Sequence, residues 1–265
     1  MTVKVMTWNI KNGGGTRTAA ILAVLQRERP HLLALQELRD FQRHDHRRMR
    51  EVADALGMTA HLAPSAFGQP VAILARPPLT LTRTRAVRWR LHHAAASAVV
   101  ATDAGPLTVV STHLNPFSPY RRMREARWLA ARYASDRRLV LVTGDLNALD
   151  PDTDHSAAIA RLHPMYRRRH LTAQETADTR AIAAFRDAGF TDLWRGGADP
   201  HTVPTTAGGG REFSGMRLDY LLASRPLAAR AGGARVIRGD ETEYASDHYP
   251  VTAELDLTAP GSPGR

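Results

Sequence analysis

The sequence predicts one α/β domain built of layered sheets. Short, apolar, β-branched runs of strand length recur along the chain. They are interleaved with longer stretches of helical character. No tandem repeat, low-complexity block or Pro/Gly linker divides the 265 residues. The expected domain spans residues 1–258, followed by a disordered tail at 259–265.

Val3 to Trp8 reads as the first strand, Asn12-Gly13-Gly14-Gly15 as a loop, and Thr18 to Arg29 as a helix stopped by Pro30. Leu32 to Gln36 is the next strand. Phe41 to Leu56 reads as a basic helix ended by Gly57. Pro70 to Ala75, Ala96 to Ala101 and Leu107 to Ser111 read as strands, the last leading into Thr112-His113-Leu114. A helix over Tyr120 to Tyr133 precedes the strand Leu139 to Thr143. Residues 151–179 are polar and irregular. Thr179 to Ala188 is expected to be helical, and Leu218 to Ala223 and Val251 to Leu257 to be strands.

Hydrophobic residues make up 43%, enough for a sizeable core, and there is no cysteine, hence no disulfide and no thiolate metal site. Neither a signal peptide nor an 18-residue apolar run is visible, so the default is a soluble cytoplasmic protein without a membrane span. The net charge of +10 favours polyanionic partners, nucleic acid first among them. Only Lys4 and Lys11 are lysines; the Arg bias itself fits GC-rich coding.

Chemistry gathers at the ends of apolar runs, where rigid elements present side chains to a cleft. After Leu139 to Thr143 comes Gly144-Asp145-Leu146-Asn147. Alternation would turn Asp145 and Asn147 to one side, a carboxylate and a carboxamide suited to a metal, a water and a phosphate oxygen. The same four residues are ordinary turn chemistry when they stand alone. Met6-Thr7-Trp8-Asn9-Ile10 offers Asn9, Leu33-Ala34-Leu35-Gln36-Glu37 offers Glu37, and Ser111-Thr112-His113-Leu114 offers His113. Arg217-Leu218-Asp219-Tyr220 and Ser246-Asp247-His248 complete the set.

In this order, from Thr7 to Pro250, the segments resemble the endonuclease/exonuclease/phosphatase superfamily, which includes deoxyribonuclease I, sphingomyelinases and inositol polyphosphate 5-phosphatases. The resemblance implies a four-layer α/β sandwich, two mixed β-sheets packed face to face with helices outside. It also implies phosphoester hydrolysis dependent on Mg²⁺ or Mn²⁺. Position by position, Glu37 is then the main metal ligand, with Asn9 and Asp247 beside it. Asp145 orients or deprotonates the attacking water, and Asn147 bonds the phosphate or helps hold a metal. His248 contacts the scissile phosphate with its other nitrogen on Asp219, and His113 stabilises charge on an oxygen or assists the leaving group. Thr202-Val203-Pro204 resembles a supporting Thr-Phe-Pro stretch. Abasic-site endonucleases of the exonuclease III type generally carry another residue at the His113 position, which argues against an abasic-repair role.

The expected function is a divalent-metal-dependent phosphodiesterase, a nuclease on DNA. A phosphatase or phosphodiesterase acting on a phosphorylated small molecule or lipid is the alternative. A silent binding module is disfavoured because the polar set is complete. Arg122, on a helix crowded with arginines, and Tyr166 and Arg168, in a basic–aromatic patch, are candidate substrate contacts. Gly13-Gly14-Gly15 lacks a P-loop Lys-Ser/Thr and reads as a loop. His44 and His46, two apart on an expected helix, do not share a face, and His92-His93 shows no partner pattern.

Overall fold

The apolar runs set the architecture, because the central strands bury both of their faces. The computed structural model describes residues 1–197 and 199–259. The chain begins with β1 (Thr2–Asn9), a 3₁₀ turn at Gly15–Arg17, α1 (Thr18–Glu28), β2 (Leu32–Gln36), α2 (Arg47–Leu56), β3 (Thr59–Ala63) and β4 (Val71–Ala75). It continues through β5 (Leu81–Val87), β6 (Ala94–Val100), β7 (Leu107–His113), α3 (Pro119–Tyr133), β8 (Leu139–Asp145), α4 (Ser156–Arg161), α5 (Pro164–Arg167) and α6 (Arg180–Asp187). The last elements are β9 (Phe190–Asp192), β10 (Asp219–Ser224), α7 (Arg225–Ala228), β11 (Arg235–Val236), α8 (Thr242–Ala245) and β12 (Val251–Asp256).

Two six-stranded sheets form, ordered β11-β12-β1-β2-β4-β3 and β5-β6-β7-β8-β10-β9. Each is mixed: β1–β2 and β7–β8 are parallel, while their neighbours are antiparallel. Val3, Val5, Leu32 and Ile73 of the first sheet meet Ala96, Val109, Leu141 and Leu221 of the second in a central core. The intervening residues point outward. Met6, Trp8, Leu33 and Leu35 bury against α1 and α2. Val110, Val140, Val142 and Leu222 bury against α3 and α6. The result is the four-layer α/β sandwich anticipated above.

Local chemistry explains most boundaries. Pro119 opens α3, where its missing N–H costs nothing, and the Ser118 hydroxyl caps the helix by accepting from Arg121 N at 3.3 Å. Gly57, left-handed at φ 60°, ends α2. The helix expected from Phe41 starts only at Arg47, because Asp40, His44, Asp45 and His46 all take positive φ in a run of turns. Phe41 buries itself instead, with the Arg48 guanidinium 4.7 Å over its ring. Strand β5 was not anticipated: it is an exposed edge of Thr and Arg with little apolar signal, a composition that discourages edge pairing. Residues 151–179, expected to be irregular, hold the short helices α4 and α5. Apart from Ala259, the expected tail lies outside the described residues. Among the described residues, no helix is long and apolar enough to cross a membrane.

Candidate active site

Strand register gathers the site. In the second sheet Asp219 lies opposite Asp145, and Asp145 lies opposite His113, so β10, β8 and β7 present three candidate residues at one level. In the first sheet Asn9 and Gln36 are paired at the ends of β1 and β2, and Glu37 follows at once. Beneath this level the central core turns polar. The Gln36 amide donates to Thr7 Oγ1 at 3.1 Å and, across the two sheets, to Ser111 Oγ at 3.2 Å. The segment between α8 and β12 closes the site with Asp247 and His248. It is anchored by Trp8 Nε1 donating to the His248 carbonyl at 2.7 Å and Ser246 Oγ donating to the Asn9 carbonyl at 2.7 Å.

Two glycines make the close approaches possible. Gly144 sits at φ +139° opposite Thr112, and a Cβ there would lie 1.9 Å from the Thr112 carbonyl oxygen. A side chain would therefore force β8 away from β7 one residue before Asp145. Gly208 lies against Ser246 and Asp247, where a Cβ would come within 2.6 Å of the Asp247 Cα.

Asp145 is the hub. It is 1% exposed, and its Oδ2 accepts from Asn9 Nδ2 at 3.0 Å and lies 3.3 Å from His113 Nε2 and 3.7 Å from His248 Nε2. Its Oδ1 accepts the Asn147 N–H at 2.9 Å. Asp145 and Asn147 do face one cleft, but through a turn rather than strand alternation: the strand stops at Asp145 and Asn147 is left-handed at φ 49°. The Asn147 amide nitrogen donates to the Leu114 carbonyl at 3.2 Å.

Burial pushes the Asp145 carboxyl up to about 7, with nearby Asp219 adding to the rise and His248, Asn9 and the Asn147 N–H opposing it. Burial pulls the His248 imidazolium down, but the facing Asp219 and Asp145 carboxylates outweigh it and lift it to about 10. His248 Nδ1 bonds Asp219 Oδ2 at 2.8 Å. Thr202 Oγ1 in turn accepts from the Leu218 and Asp219 N–H groups, so the threonine does support the site. Burial and the neighbouring His248 charge hold His113 neutral, down at about 3.

Glu37 stands at φ 58° with both carboxylate oxygens engaged, Oε1 accepting from Asn9 Nδ2 at 3.0 Å and Oε2 from Asn12 N at 2.9 Å. Gln69 Nε2 donates to Asn12 Oδ1 at 2.7 Å and lies 3.5 Å from Glu37 Oε2, and the Gln69 amide oxygen is buried without a donor. A carboxylate and a spare amide oxygen are hard donors of the kind Mg²⁺ or Mn²⁺ takes. Asn9 plays another part. Its oxygen accepts Lys11 N at 3.0 Å, so its NH₂ faces the cleft and ties Glu37 to Asp145. In this conformation it bridges two acids rather than offering a ligand oxygen. Asp247 is likewise engaged, ion-paired to Lys11 Nζ at 2.9 Å. Asp145, Asp219 and His248 also bring one donor atom each within 4.8 Å of one another. Both His248 nitrogens already face carboxylates, however, and an ion there would have to displace an imidazole proton.

The cleft, about 420 Å³, is lined by Glu37, His113, Asp145, Asn147, Asp247 and His248 together with residues the motifs did not single out: Lys11, Gln69, His92, His93 and Phe213. Arg122 does not reach it. That side chain is 1% exposed and donates to the backbone carbonyls of Asn115 and Arg169, so it holds two loops together instead of binding substrate. Within the basic–aromatic patch Arg169, not Arg168, faces the cleft. It stacks 4.6 Å over Tyr166 and 5.3 Å over Phe117, and pairs with Glu212 at 3.2 Å. Arg168 is exposed and lines a separate groove beside Pro164 and Leu171. Three adjacent arginines carry no sequence signal for which one turns inward.

The chain matches the family model described as Endonuclease/Exonuclease/phosphatase family over residues 6–248. Comparison with curated proteins gives no match. Among solved structures it is similar to an AP endonuclease from Archaeoglobus fulgidus, at 19% identity over 96% of this chain and 100% of that one, with a TM-score of 0.71. It is also similar to the 3′ phosphatase NExo from Neisseria bound to a product DNA hairpin, at 21% identity over 96% and 99%, TM-score 0.70. A third is truncated Caenorhabditis elegans TDP2, at 17% identity over 96% and 97%, TM-score 0.66. At these identities the likeness is one of fold.

Proposed function

This chain belongs to the endonuclease/exonuclease/phosphatase family, and from that premise we propose that it hydrolyses phosphodiesters, DNA first among them, by in-line attack of water. The observation that carries this reading is the hub at Asp145: a buried acid, pushed up by burial, 3.7 Å from a His248 imidazole that a second acid, Asp219, holds at 2.8 Å. A base poised near neutral pH takes a proton from water most effectively. His248, with its proton locked by Asp219, then serves as a cationic clamp on a phosphate oxygen rather than as the base. His113 stays neutral and presents a ring N–H donor. Asn147, turned into the cleft, positions the phosphate. Glu37, with Asp247 near it, would hold the divalent cation, Mg²⁺ or Mn²⁺, which when bound neutralises charge developing on the phosphate. The DNA reading is supported by the net charge of +10 and by structural neighbours whose names specify an AP endonuclease and a phosphatase bound to a DNA hairpin.

The test is hydrolysis of plasmid, single-stranded DNA, RNA, bis-p-nitrophenyl phosphate and p-nitrophenyl phosphate with Mg²⁺ or Mn²⁺. Diester turnover is expected, abolished by EDTA and by His248→Ala, with the calorimetric affinity for Mn²⁺ weakened in Glu37→Gln. A preference for the monoester would move the activity to the phosphatase alternative. Turnover that survives chelation, or Glu37→Gln binding Mn²⁺ as wild type, would refute the mechanism.

A further inference from the structure

The catalytic cleft does not end at Phe67 and His92. On their far side lies a second recess of about 500 Å³, which shares those two residues with the cleft and is otherwise bounded by the segment before β6 and the outer face of α3. Its rim is aromatic and unusually open. Trp89 is 88% exposed and Phe67 62% exposed, and Trp89 is the most exposed of the large apolar side chains among the described residues. Phe67 and His92 are stacked, centroids 4.4 Å apart and planes 13° from parallel. His92 also meets the edge of Phe117 at 5.6 Å.

The recess is built, not incidental. Glu125 of α3 is 6% exposed, and its two oxygens accept the His92 N–H at 2.6 Å and the Asn115 N–H at 2.7 Å. One buried carboxylate thus pins the segment before β6 to the segment after β7, fixing the aromatic rim against the catalytic level. Arg121 and Arg124, three apart on α3 and both exposed, line the same recess. Neither forms an ion pair among the described residues, whereas Arg169 in the cleft is neutralised by Glu212.

We propose that this recess is a strand-binding subsite for unpaired nucleic acid, with bases stacking on Trp89 and the Phe67–His92 pair and phosphates resting on Arg121 and Arg124, so that the strand runs on from the scissile position. Aromatic faces beside unneutralised cations are the general requirement for gripping a single strand. Paired bases hide their faces within the stack, so a duplex has nothing to place on these rings. A lipid surface would need the aromatics on a convex tip, and here they border a concavity continuous with the cleft. The proposal rests on the hydrolase reading for the identity of the scissile group, but the subsite is testable without turnover.

The experiment is fluorescence anisotropy of a labelled oligothymidylate and of a matched blunt duplex in EDTA, using wild type, Trp89→Ala and the double variant Arg121→Ala/Arg124→Ala. Bis-p-nitrophenyl phosphate hydrolysis with Mg²⁺ and thermal melting are measured in parallel. The single strand should bind more tightly than the duplex. Trp89→Ala should weaken it about tenfold through lost stacking. The double variant should make the log–log salt dependence shallower by about 1.4, two phosphates' worth for a single strand. Hydrolysis of the small diester, which has no strand to place, should be unchanged in both variants. Wild-type affinity in the variants, or tighter duplex binding, would overturn the subsite. So would binding to phosphatidylserine vesicles that depends on Trp89 while oligothymidylate binding does not. Failure of wild type to turn over the small diester would instead sink the hydrolase reading and leave the binding comparison intact.

Discussion

Replacing Asp219 by asparagine removes a charge from behind His248 and leaves an acceptor oxygen in its place. In the fold His248 stands at about 10 against an ordinary 6.5. That difference corresponds to about 5 kcal/mol favouring the imidazolium, at about 1.4 kcal/mol per pH unit. Two carboxylates supply it against burial, Asp219 at 2.8 Å and Asp145 at 3.7 Å. A contacting opposite charge contributes about 1–3 pH units, so Asp219→Asn should bring His248 down to about pH 7–9. Asp219 Oδ1 has no donor at present, so the asparagine amino group would also sit there unsatisfied, a further cost of about 1–3 kcal/mol at every pH. In the rate profile with bis-p-nitrophenyl phosphate the alkaline limb should move to lower pH, and the acid limb should move the same way to a lesser extent, because Asp219 also helps to raise Asp145. The variant's deficit relative to wild type should accordingly be far larger near pH 9 than near pH 7. The sign for stability follows from linkage. A group held protonated by the fold stabilises fully below 6.5, and that contribution is lost as pH rises through about 10. In EDTA the stability gap between wild type and variant should therefore be widest near pH 6 and narrow towards pH 10. An NMR titration of the imidazole in EDTA reads the same shift directly. An unmoved alkaline limb together with an unmoved imidazole titration would refute the clamp.

Asp145→Asn should lower kcat by about 10²- to 10⁴-fold. It should also raise the melting temperature in EDTA at pH 8. A carboxyl displaced from 3.8 up to about 7 costs stability as pH rises through that interval, so the gain should fade by pH 4. Gly144→Ala should destabilise by about 1–3 kcal/mol and lose activity, because β8 must move away from Thr112; wild-type melting and kcat would show that the close approach is relaxed elsewhere. Arg122→Met should cost about 2–4 kcal/mol in urea unfolding by freeing two buried carbonyls. If it instead weakened DNA binding at unchanged stability, the inward placement of this arginine would be wrong.

The apolar strands were legible because burial on both faces writes them as short β-branched runs, and β2 falls where the sequence places it, at Leu32–Gln36. Edge strands β3 and β5 were not, since one neighbour and a wet face leave Thr, His and Arg where Val or Ile would stand. The helix expected at Phe41 failed for a related reason: helical spacing persists through a segment whose backbone makes turns. At the site, polar residues ending apolar runs were readable one by one, and their order made them specific. What lay beyond reach was the orientation of each. No local pattern says that Arg122 points in, that Arg169 rather than Arg168 turns to the cleft, or that the Asn9 amide bridges two acids. Those depend on partners far away in sequence, such as the 136 positions between Asn9 and Asp145. His92 and His93 had no partner pattern because their partners arrive from elsewhere in the chain, Phe67 from the turn between β3 and β4 and His113 from the end of β7.

The bond from Trp8 to the His248 carbonyl joins positions 240 residues apart, and it gives synthesis a clock. At about 5–20 residues per second, roughly 10–50 s pass between the translation of Asn9 and that of His248. During that interval the growing chain acquires Glu37, and later Asp145 and Asp219, but not His248. The growing chain therefore cannot complete the Asp145–His248–Asp219 constellation until its last segment is made, and a product terminated before His248 never has it.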